Sequence, residues 1–321
     1  MTSLIRRPQP LLVICGPTGS GKSSLALDLA RHYPLEIISA DSRQVYRGMD
    51  IGTAKPTAAE QALVPHHMID LIDPDEEFSV AAFIDRARPL IEEIHLRDRL
   101  PCVVGGTGLY IRALLGGMAD LPTGDDNLRR SLHRQEEEQG SGSLHAELRR
   151  RDPVAAARIH PHNLIRTVRA LEVCLLSGRP FSEIVAAHEF VDQPYSVLKL
   201  APDHPRTELY RRIDRRAEQM LEAGLVDEVA GLVRRYCAGL KALQTLGYRE
   251  VLRYLAGDLD AARMCGEIQK FTRQYAKKQL TWFRREPDMI WVDSTMKSGR
   301  VERYIENWLF NQRSGHGQVT I

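Results

Sequence analysis

The feature that most constrains this chain is a glycine-rich octapeptide between an apolar run and a helical pattern. Residues 16–23 read GPTGSGKS, which fits the pattern G-x-x-x-x-G-K-[ST] of phosphate-binding loops. The apolar run 11–15 predicts a strand before the loop, and SSLALDLA predicts a helix after it. A glycine-rich turn that only starts a helix is the alternative. The agreement of strand, loop and helix favours a phosphate site.

The loop residues have separate predicted roles. Backbone N–H groups of the loop are expected to face an anion, and the helix adds its positive N-terminal end. The Lys22 ammonium is expected to reach a terminal phosphate, and the Ser23 hydroxyl to bind Mg²⁺. The pattern indicates a phosphorylated ligand without saying which one. The predicted cradle comprises Gly16, Pro17, Thr18, Gly19, Ser20, Gly21, Lys22 and Ser23.

Apolar runs that alternate with helical patterns predict an α/β fold, with a mostly parallel sheet and helices on both faces. The predicted strands are residues 11–15, 35–39, 68–72, 102–104, 197–200 and 289–292, and the predicted helices include 25–30 and 83–94. A chain of 321 residues exceeds what one core usually fills. We therefore expect a phosphate-loop core over 1–120 and 193–312, a helical insertion over 121–192, basic C-terminal helices and a tail over 313–321.

Composition excludes several classes of protein. No apolar run approaches the ~20 residues that cross a bilayer, so we expect a cytoplasmic protein without a membrane span. The five cysteines lie far apart without a C-x-x-C pair and are predicted to be small core residues. The net charge of +2 is nearly neutral. The distribution of charge along the chain must therefore indicate any polyanionic partner.

Segments that follow strands are expected to line the site, because ligands of parallel α/β sheets bind beyond the carboxyl ends of the strands. Asp41 follows a predicted strand, and three roles are open to it: magnesium partner, general base or cap of the next turn. Residues 105–110, GGTGLY, follow another strand. Their glycines would allow close approach of the backbone to a ligand.

Two later helical patterns carry positive charge. Arg212 and Arg216 lie four residues apart, which places them on one face of a helix. Either they bind a diphosphate together, or they are simply solvated. The segment 270–285 contains no acidic residue, and its aromatic residues Phe271, Tyr275 and Trp282 are predicted to be core. Its basic residues form either a solvated face or a track for nucleic-acid phosphates. They are Lys270, Arg273, Lys277, Lys278, Arg284 and Arg285.

Six stretches in order along the chain resemble one family, the bacterial tRNA dimethylallyltransferases, also called tRNA isopentenyltransferases. The resemblance implies transfer of a dimethylallyl group from dimethylallyl diphosphate to the exocyclic amine of the adenosine 3′ of the anticodon. It also implies that the phosphate loop holds the donor's diphosphate and not normally ATP. Mg²⁺ is the cofactor that the loop pattern at Ser23 predicts. The stretches are GPTGSGKSSLA (16–26), ISADSRQVYRGMDIGTAKP (38–56), VVGGTGLYIRALL (103–115), IRTVRALEV (165–173), LQTLGYRE (243–250) and QYAKKQLTWFRR (274–285).

The resemblance also implies roles for individual residues. It places the general base at Asp41 and the diphosphate-binding arginine at Arg212 or Arg216, beside Lys22 and Ser23. Within 165–169 two residues are apolar, so Arg166 and Arg169 are the expected contributors. Eukaryotic relatives add a zinc finger that this sequence lacks, so we expect no zinc, and we expect a monomer. The implied tRNA contacts are Asp41, Ser42, Arg43, Gln44, Thr107, Arg129, Ile165, Arg166, Thr167, Val168, Arg169, Gln244, Gly247, Tyr248, Arg249, Lys277, Lys278, Trp282 and Arg284.

Two other functions share parts of this pattern. A small-molecule kinase of the shikimate-kinase type has the same loop, and there Asp41 would activate a hydroxyl while the insertion formed a lid. Such kinases are about half as long, and the basic segment would have no task in them. The other function is that of a non-catalytic RNA-binding NTPase switch. The ligand of the phosphate loop discriminates among the three.

Overall fold

The computed structural model describes residues 8–188, 194–293 and 299–314, and its described strands form one parallel sheet. They are β1 (Gln9–Cys15), β2 (Leu35–Ser39), β3 (His66–His67), β4 (Leu100–Gly105), β5 (Tyr195–Asp203) and β6 (Met289–Asp293). Their order across the sheet is β3-β2-β4-β1-β5-β6. Leu12 of the central β1 lies opposite Cys102 of β4 and Leu198 of β5. The predicted α/β fold is confirmed.

The helices fill the connections between these strands, and the predicted helices 25–30 and 83–94 lie inside α1 and α3. Within the described ranges no helix has the length and apolar character that crossing a bilayer requires. The helices are α1 (Lys22–Ala30), α2 (Ala58–Leu63), α3 (Val80–Leu96), α4 (Gly108–Gly116), α5 (Asp126–Gln139), α6 (Ser143–Arg151), α7 (Pro153–Arg158), α8 (Leu164–Ser177), α9 (Phe181–Ala187), α10 (Arg206–Glu222), α11 (Leu225–Arg235), α12 (Tyr248–Leu255), α13 (Ala261–Phe283) and α14 (Gly299–Ser314).

The sheet is covered on both faces. Leu12 and Ile14 of β1 pack with α1 and α14 on one side. Leu11 and Val13 pack with α3 on the other. Because both faces are buried, the strand is a continuous apolar run instead of an alternating one. This is why the sequence pattern located the central strands correctly.

The predicted strand 68–72 is wrong. The third strand lies just before it, at His66–His67, and pairs with Ile37 and Ile38 of β2. Met68 and Asp70 then adopt φ angles of 65° and 52°, in the left-handed region, which a strand does not accommodate. Met68 and Ile72 are buried, and Ile72 makes only an isolated bridge. Their burial produced the apolar pattern without a strand.

The five cysteines differ in their burial. Cys15, Cys102 and Cys174 are buried, as predicted. Cys237 is exposed and Cys265 is partly buried, so the prediction of a core role is wrong for Cys237.

The described residues form two compact units. One lies within Met1–Leu115 and Gln193–Ile321, and the other within Gly116–Asp192. The second unit contains α5 to α9 around its own core, which includes Leu132, Leu144 and Leu171. Its boundary at Gly116 precedes the expected 121 because α4 continues to that glycine. Of the predicted tail 313–321, residues 315–321 lie outside the described ranges.

We expect Gly105→Ala to destabilise the fold by about 1–3 kcal/mol, because the site is already tightly packed. A Cβ at Gly105 would lie 2.2 Å from the backbone oxygen of Ala40. Denaturant unfolding measures the change. Gly239→Ala is the matched control, since among the described residues no atom lies within 4 Å of its added Cβ. Equal stability of the two variants would contradict the packing argument.

Candidate active site

The octapeptide 16–23 forms a loop between β1 and α1. Gly16, Gly19 and Gly21 have φ angles of 141°, 79° and 87°, which favour glycine. Gly21 caps the start of α1. A Cβ on Gly19 would lie 2.9 Å from Ile213, so α10 packs directly against the loop. The predicted strand, loop and helix are therefore present, with the N-terminus of α1 at the loop.

Lys22 lies in this loop with its ammonium held by the backbone. Its Nζ donates a hydrogen bond of 2.8 Å to the carbonyl oxygen of Pro17. Burial, followed by the positive charge of Arg216, lowers the pKa of Lys22 to about 8. The negative charge of Asp41 opposes this shift. The lysine is therefore electrostatically linked to both the arginine and the carboxylate.

Arg212 and Arg216 both face the loop from α10. They line a cleft of about 310 Å³ together with Gly19, Lys22 and Ser23. Arg212 is exposed, and its Nε donates a hydrogen bond of 2.9 Å to the Gly19 carbonyl. Arg216 is partly buried and also lines the neighbouring larger cleft. Burial lowers its pKa, and the negative charge of Asp41 opposes that change.

Asp41 lies in the larger cleft, of about 1150 Å³, with Lys22, Ser23 and Arg216. Its Oδ1 accepts the N–H of Arg43 at 2.8 Å, so the carboxylate does cap the next turn. A carboxylate oxygen has capacity for further hydrogen bonds, so this contact leaves the general-base role open.

The loop after β4 is joined to the loop after β2. Thr107 Oγ1 accepts the N–H of Ser42 at 3.2 Å, and the N–H of Thr107 donates to the Ala40 carbonyl at 3.2 Å. The residues on both sides of Asp41 are therefore tied to Thr107.

The glycines of the loop at 105–108 make room for protein atoms. A Cβ on Gly106 would lie 2.5 Å from Nε2 of Gln279, and one on Gly108 would lie 2.2 Å from Nε1 of Trp282. Gly105 and Gly108 allow close approach of Ala40 and Trp282, and Gly105 and Gly106 also line the larger cleft. Approach of a ligand to this loop stays a prediction.

Gln44, an implied tRNA contact, is occupied within the protein. Its Oε1 accepts from the Ser39 hydroxyl at 2.8 Å. Its Nε2 donates to the carbonyls of Thr53 at 3.3 Å and Ala54 at 3.0 Å. The side chain positions the segment 50–55, and both N–H groups of its amide are engaged within the protein. Gln44 also lines the larger cleft, and its contact with tRNA stays a prediction.

Glu228 on α11 fastens the start of the same segment. Its carboxylate accepts the N–H groups of Asp50, Ile51 and Gly52 at 3.0, 2.7 and 3.2 Å. It also accepts the Tyr248 hydroxyl at 2.6 Å. Tyr248 is fully buried, and its implied contact with tRNA stays a prediction.

The remaining residues of the stretch 244–249 differ in exposure. Gln244 is exposed, with its Nε2 donating to the Ala238 carbonyl at 3.0 Å. Gly247 is buried and its N–H donates to Glu250 at 2.8 Å. Arg249 pairs with Glu250 at 2.6 Å and is partly buried. Gln244 is therefore the most accessible implied contact in this stretch.

None of the three aromatic residues predicted to be core is among the buried residues of α13. Tyr275 is 40% exposed and lines the larger cleft, so the prediction that it is core is wrong. Phe271 and Trp282 are partly buried, and Arg112 lies 4.2 Å from the Trp282 ring centroid. The buried face of the helix contains Met264, Ile268, Ala276, Gln279 and Phe283.

The basic residues of α13 are partly neutralised. Arg273 forms an ion pair with Asp214 on α10. Arg284 lies 3.6 Å from Asp203 and stacks over Trp291. Lys277 and Lys278 are exposed. Lys270 and Arg285 are exposed as well, so these four residues of the set are open to a polyanion in solution.

In the unit within Gly116–Asp192, the implied contacts fall into two groups. Arg129 and Arg169 both form ion pairs with the fully buried Glu172. Burial alone would raise the pKa of Glu172, but the two arginines and the hydrogen bond from the Asp125 N–H outweigh it and lower that pKa. Arg166 is exposed, and Ile165 is 80% exposed. Thr167 and Val168 are buried, which agrees with the expectation that Arg166 and Arg169 are the contributors in this stretch, and the tRNA contacts themselves stay predictions.

Sequence reasoning missed three residues at the site. Gln279 contacts Thr18 and Gly106, His204 Nε2 lies 2.9 Å from the Ser20 carbonyl, and Glu228 holds the segment 50–52. Gln279 lies within one of the quoted stretches, but a glutamine on a helix gave no sign of burial. The positions of the other two depend on tertiary contacts alone.

The chemistry of the loop fits a magnesium ion. Within the described residues no group of three or more His, Cys, Asp or Glu is placed to hold a metal. Mg²⁺ in phosphate sites keeps several waters and binds few protein groups besides the substrate's phosphates. The exposed Ser23 hydroxyl, beside Lys22 in the first turn of α1, suits such binding.

Comparisons with known proteins agree with this geometry. The family model described as IPP transferase matches residues 44–286, and the model described as isopentenyl transferase matches residues 9–68. The chain belongs to the tRNA dimethylallyltransferase (IPP transferase) family. The family predicted from the sequence is confirmed. Membership decides against the kinase and the NTPase switch.

Relatives of the family match nearly the whole chain. The tRNA dimethylallyltransferase 1 of Syntrophotalea carbinolica is 48% identical over 306 residues, covering 95% of this chain and 97% of the relative. The crystal structure of the tRNA isopentenylpyrophosphate transferase from Bacillus halodurans is 40% identical, with a TM-score of 0.71, and the match covers 97% and 100% of the two chains. A eukaryotic dimethylallyltransferase acting on tRNA has a TM-score of 0.82 at 28% identity, over 94% and 80%.

Proposed function

We propose that this enzyme transfers a dimethylallyl group from dimethylallyl diphosphate to the exocyclic amine of the adenosine 3′ of the anticodon in tRNA, releasing diphosphate. The observation that carries the proposal is the shared cleft of Lys22, Arg216 and Asp41. Cationic groups that stabilise a diphosphate thus lie in one cleft with a carboxylate that can take a proton.

The phosphate loop serves the leaving group. When the allylic carbon–oxygen bond breaks, negative charge grows on the diphosphate. The Lys22 ammonium, the Arg216 guanidinium and the loop amides stabilise that charge. Magnesium, when held by Ser23 and diphosphate oxygens, would add positive charge to the same group.

Asp41 serves the nucleophile. The lone pair of an adenine amine is delocalised into the ring, so removal of its proton as the carbon–nitrogen bond forms favours attack. The Asp41 carboxylate accepts that proton, and its hydrogen bond from the Arg43 N–H fixes its orientation. Its negative charge also favours the positive charge that develops on the allylic carbon.

The tRNA partner is proposed to lie against basic side chains that are exposed or partly exposed. In one unit these are the exposed Lys277 and Lys278 and the partly buried Arg43. In the Gly116–Asp192 unit they are the exposed Arg166 and the partly buried Arg129 and Arg169. The adenosine must leave the anticodon loop to reach Asp41, which costs a few kcal/mol, and phosphate contacts offset that cost. We propose that the enzyme acts as a cytoplasmic monomer, since one chain carries both the base and the cradle.

The decisive experiment is incubation with labelled dimethylallyl diphosphate, Mg²⁺ and an unmodified tRNA that has adenosine 3′ of the anticodon. We expect label in that tRNA and none in a matched tRNA with guanosine at the position. Dimethylallyl diphosphate should also displace a loop-bound probe better than ATP does. Labelling of both tRNAs, or better displacement by ATP, would contradict the proposal.

Lys277→Ala is expected to weaken tRNA binding and to reduce the slope of log affinity against log salt by about 1, because one phosphate contact is lost. Affinity for the free diphosphate donor should not change. Filter binding over a salt series measures the slope. Arg31→Ala, which removes an exposed charge at the end of α1, is the control. An unaltered slope would assign Lys277 to the solvated surface.

Diphosphate binding is expected to weaken as pH rises through about 8, the pKa of Lys22. The lysine carries its charge below that pKa and loses it above, so binding is favoured on the acidic side. Calorimetry with inorganic diphosphate at a series of pH values measures this dependence. Lys22→Met is the control, because it removes the titration of the lysine and keeps that of the diphosphate itself. Identical profiles for the two proteins would exclude Lys22 as the titrating group.

A further inference from the structure

We propose that Gln279 is a positioning residue that holds the leaving-group side and the base side of the active site at a fixed separation. The inference rests on the proposed function. Gln279 projects from α13 and is only 7% exposed. Its Oε1 accepts the N–H of Thr18 at 2.9 Å, and its Nε2 donates to the Gly106 carbonyl at 2.9 Å. One carboxamide therefore joins the phosphate loop to the loop after β4.

On the side of the phosphate loop, a single peptide group connects Gln279 to Lys22. The N–H that Gln279 accepts and the carbonyl that accepts the Lys22 ammonium at 2.8 Å belong to the same peptide, between Pro17 and Thr18. A peptide is planar, so its N–H and C=O move together. Rotation that released Gln279 would also displace the oxygen that holds the lysine. Gln279 thus fixes the orientation of the ammonium's anchor.

On the other side, the loop after β4 connects Gln279 to Asp41. Gly106 is followed directly by Thr107, whose N–H donates to the Ala40 carbonyl at 3.2 Å and whose hydroxyl accepts the Ser42 N–H at 3.2 Å. These contacts bind the residues on both sides of Asp41. Gln279 therefore reaches the base through one short segment, as it reaches the lysine through one peptide.

The fit around the carboxamide requires this one side chain. A Cβ on Gly106 would lie 2.5 Å from Nε2, so glycine is needed opposite the amide. One end must accept a hydrogen bond and the other must donate one, which only a carboxamide of this length provides here. Leucine would remove both bonds, and ionised glutamate would retain only the acceptor.

The test compares Gln279→Leu with Gln274→Leu, a matched change at an exposed glutamine of the same helix. Misplacing catalytic groups by about 1 Å costs roughly 10²-fold in rate. We expect Gln279→Leu to lower kcat by about that factor, to weaken inorganic diphosphate binding about tenfold, and to leave tRNA affinity within twofold. Gln274→Leu should match the wild type. Unfolding midpoints confirm that each variant is folded at the assay temperature.

Gln279→Glu provides a second readout, and it keeps the Thr18 contact if the leucine variant fails to fold. A protonated glutamic acid has a donor for the Gly106 carbonyl, whereas the ionised form does not. We therefore expect the ratio of its kcat to that of the wild type to rise as pH falls. A purely structural role would give a ratio that does not change with pH.

Three results would overturn the inference: a kcat of Gln279→Leu close to that of the wild type, a loss of kcat matched by an equal loss of tRNA affinity, or a pH-independent ratio for Gln279→Glu. Failure of the wild type itself to transfer a prenyl group would instead overturn the proposed function. Even then, weaker diphosphate binding by Gln279→Leu would support the inferred connection between Gln279 and Lys22.

Discussion

Replacing Asp41 by asparagine is expected to lower the rate of prenyl transfer by about 10²–10⁴-fold, the usual contribution of a general base. Asparagine keeps the size of the side chain and an oxygen that can accept the Arg43 N–H, which Asp41 accepts at 2.8 Å. It cannot take up a proton from the adenine amine. Affinity for tRNA should therefore stay within about twofold, because the fold of the turn is retained.

Single-turnover transfer from labelled donor, beside filter binding of tRNA, separates these two effects. Asp28→Asn is a suitable control, since Asp28 is an exposed carboxylate on α1 that pairs with Arg31 at 3.8 Å. Near-normal turnover of Asp41→Asn would remove Asp41 from the mechanism. Equal losses of rate and of tRNA affinity would assign it to binding.

Arg216→Gln is expected to lower kcat/KM for the prenyl donor by about 10²–10³-fold, as for loss of a group that stabilises developing charge. Arg216 is partly buried and shares a cleft with Lys22 and Asp41. Arg212→Gln, one turn earlier on α10, should cost less than about tenfold. Arg212 is exposed, and its Nε is engaged by the Gly19 carbonyl.

The two arginine variants are controls for each other, because they remove the same charge from the same helix. Steady-state kinetics over a range of donor concentrations measures both. A larger loss at Arg212 would reverse the assignment and make Arg212 the main contact of the diphosphate.

The fold was predictable where local sequence and burial agree. Residues 11–15 of β1 and 102–104 of β4 are apolar because both faces of the sheet are covered. The glycine loop between β1 and α1 has a specific pattern. The third strand was misplaced because Met68 and Ile72 are apolar for a different reason. They are buried by a left-handed turn, which hydrophobicity alone does not reveal.

The candidate site was predictable only in part, because several of its contacts join distant segments. Thr18 and Gln279 are 261 positions apart, and no periodicity relates them. Helix α13 has a core face, a face on the cleft and a solvent face, so a two-sided pattern could not place Tyr275. The burial of Tyr248 and Thr167 likewise depends on the helices packed around them.

The carboxylate of Glu228 has a consequence for ligand choice. Three consecutive amides, at Asp50, Ile51 and Gly52, point at one acid of the protein itself. Such a row of N–H groups is the kind of concavity that attracts phosphates. The Glu228 carboxylate therefore occupies these amides, and we expect an anionic group that enters the cleft to bind at the glycine loop instead.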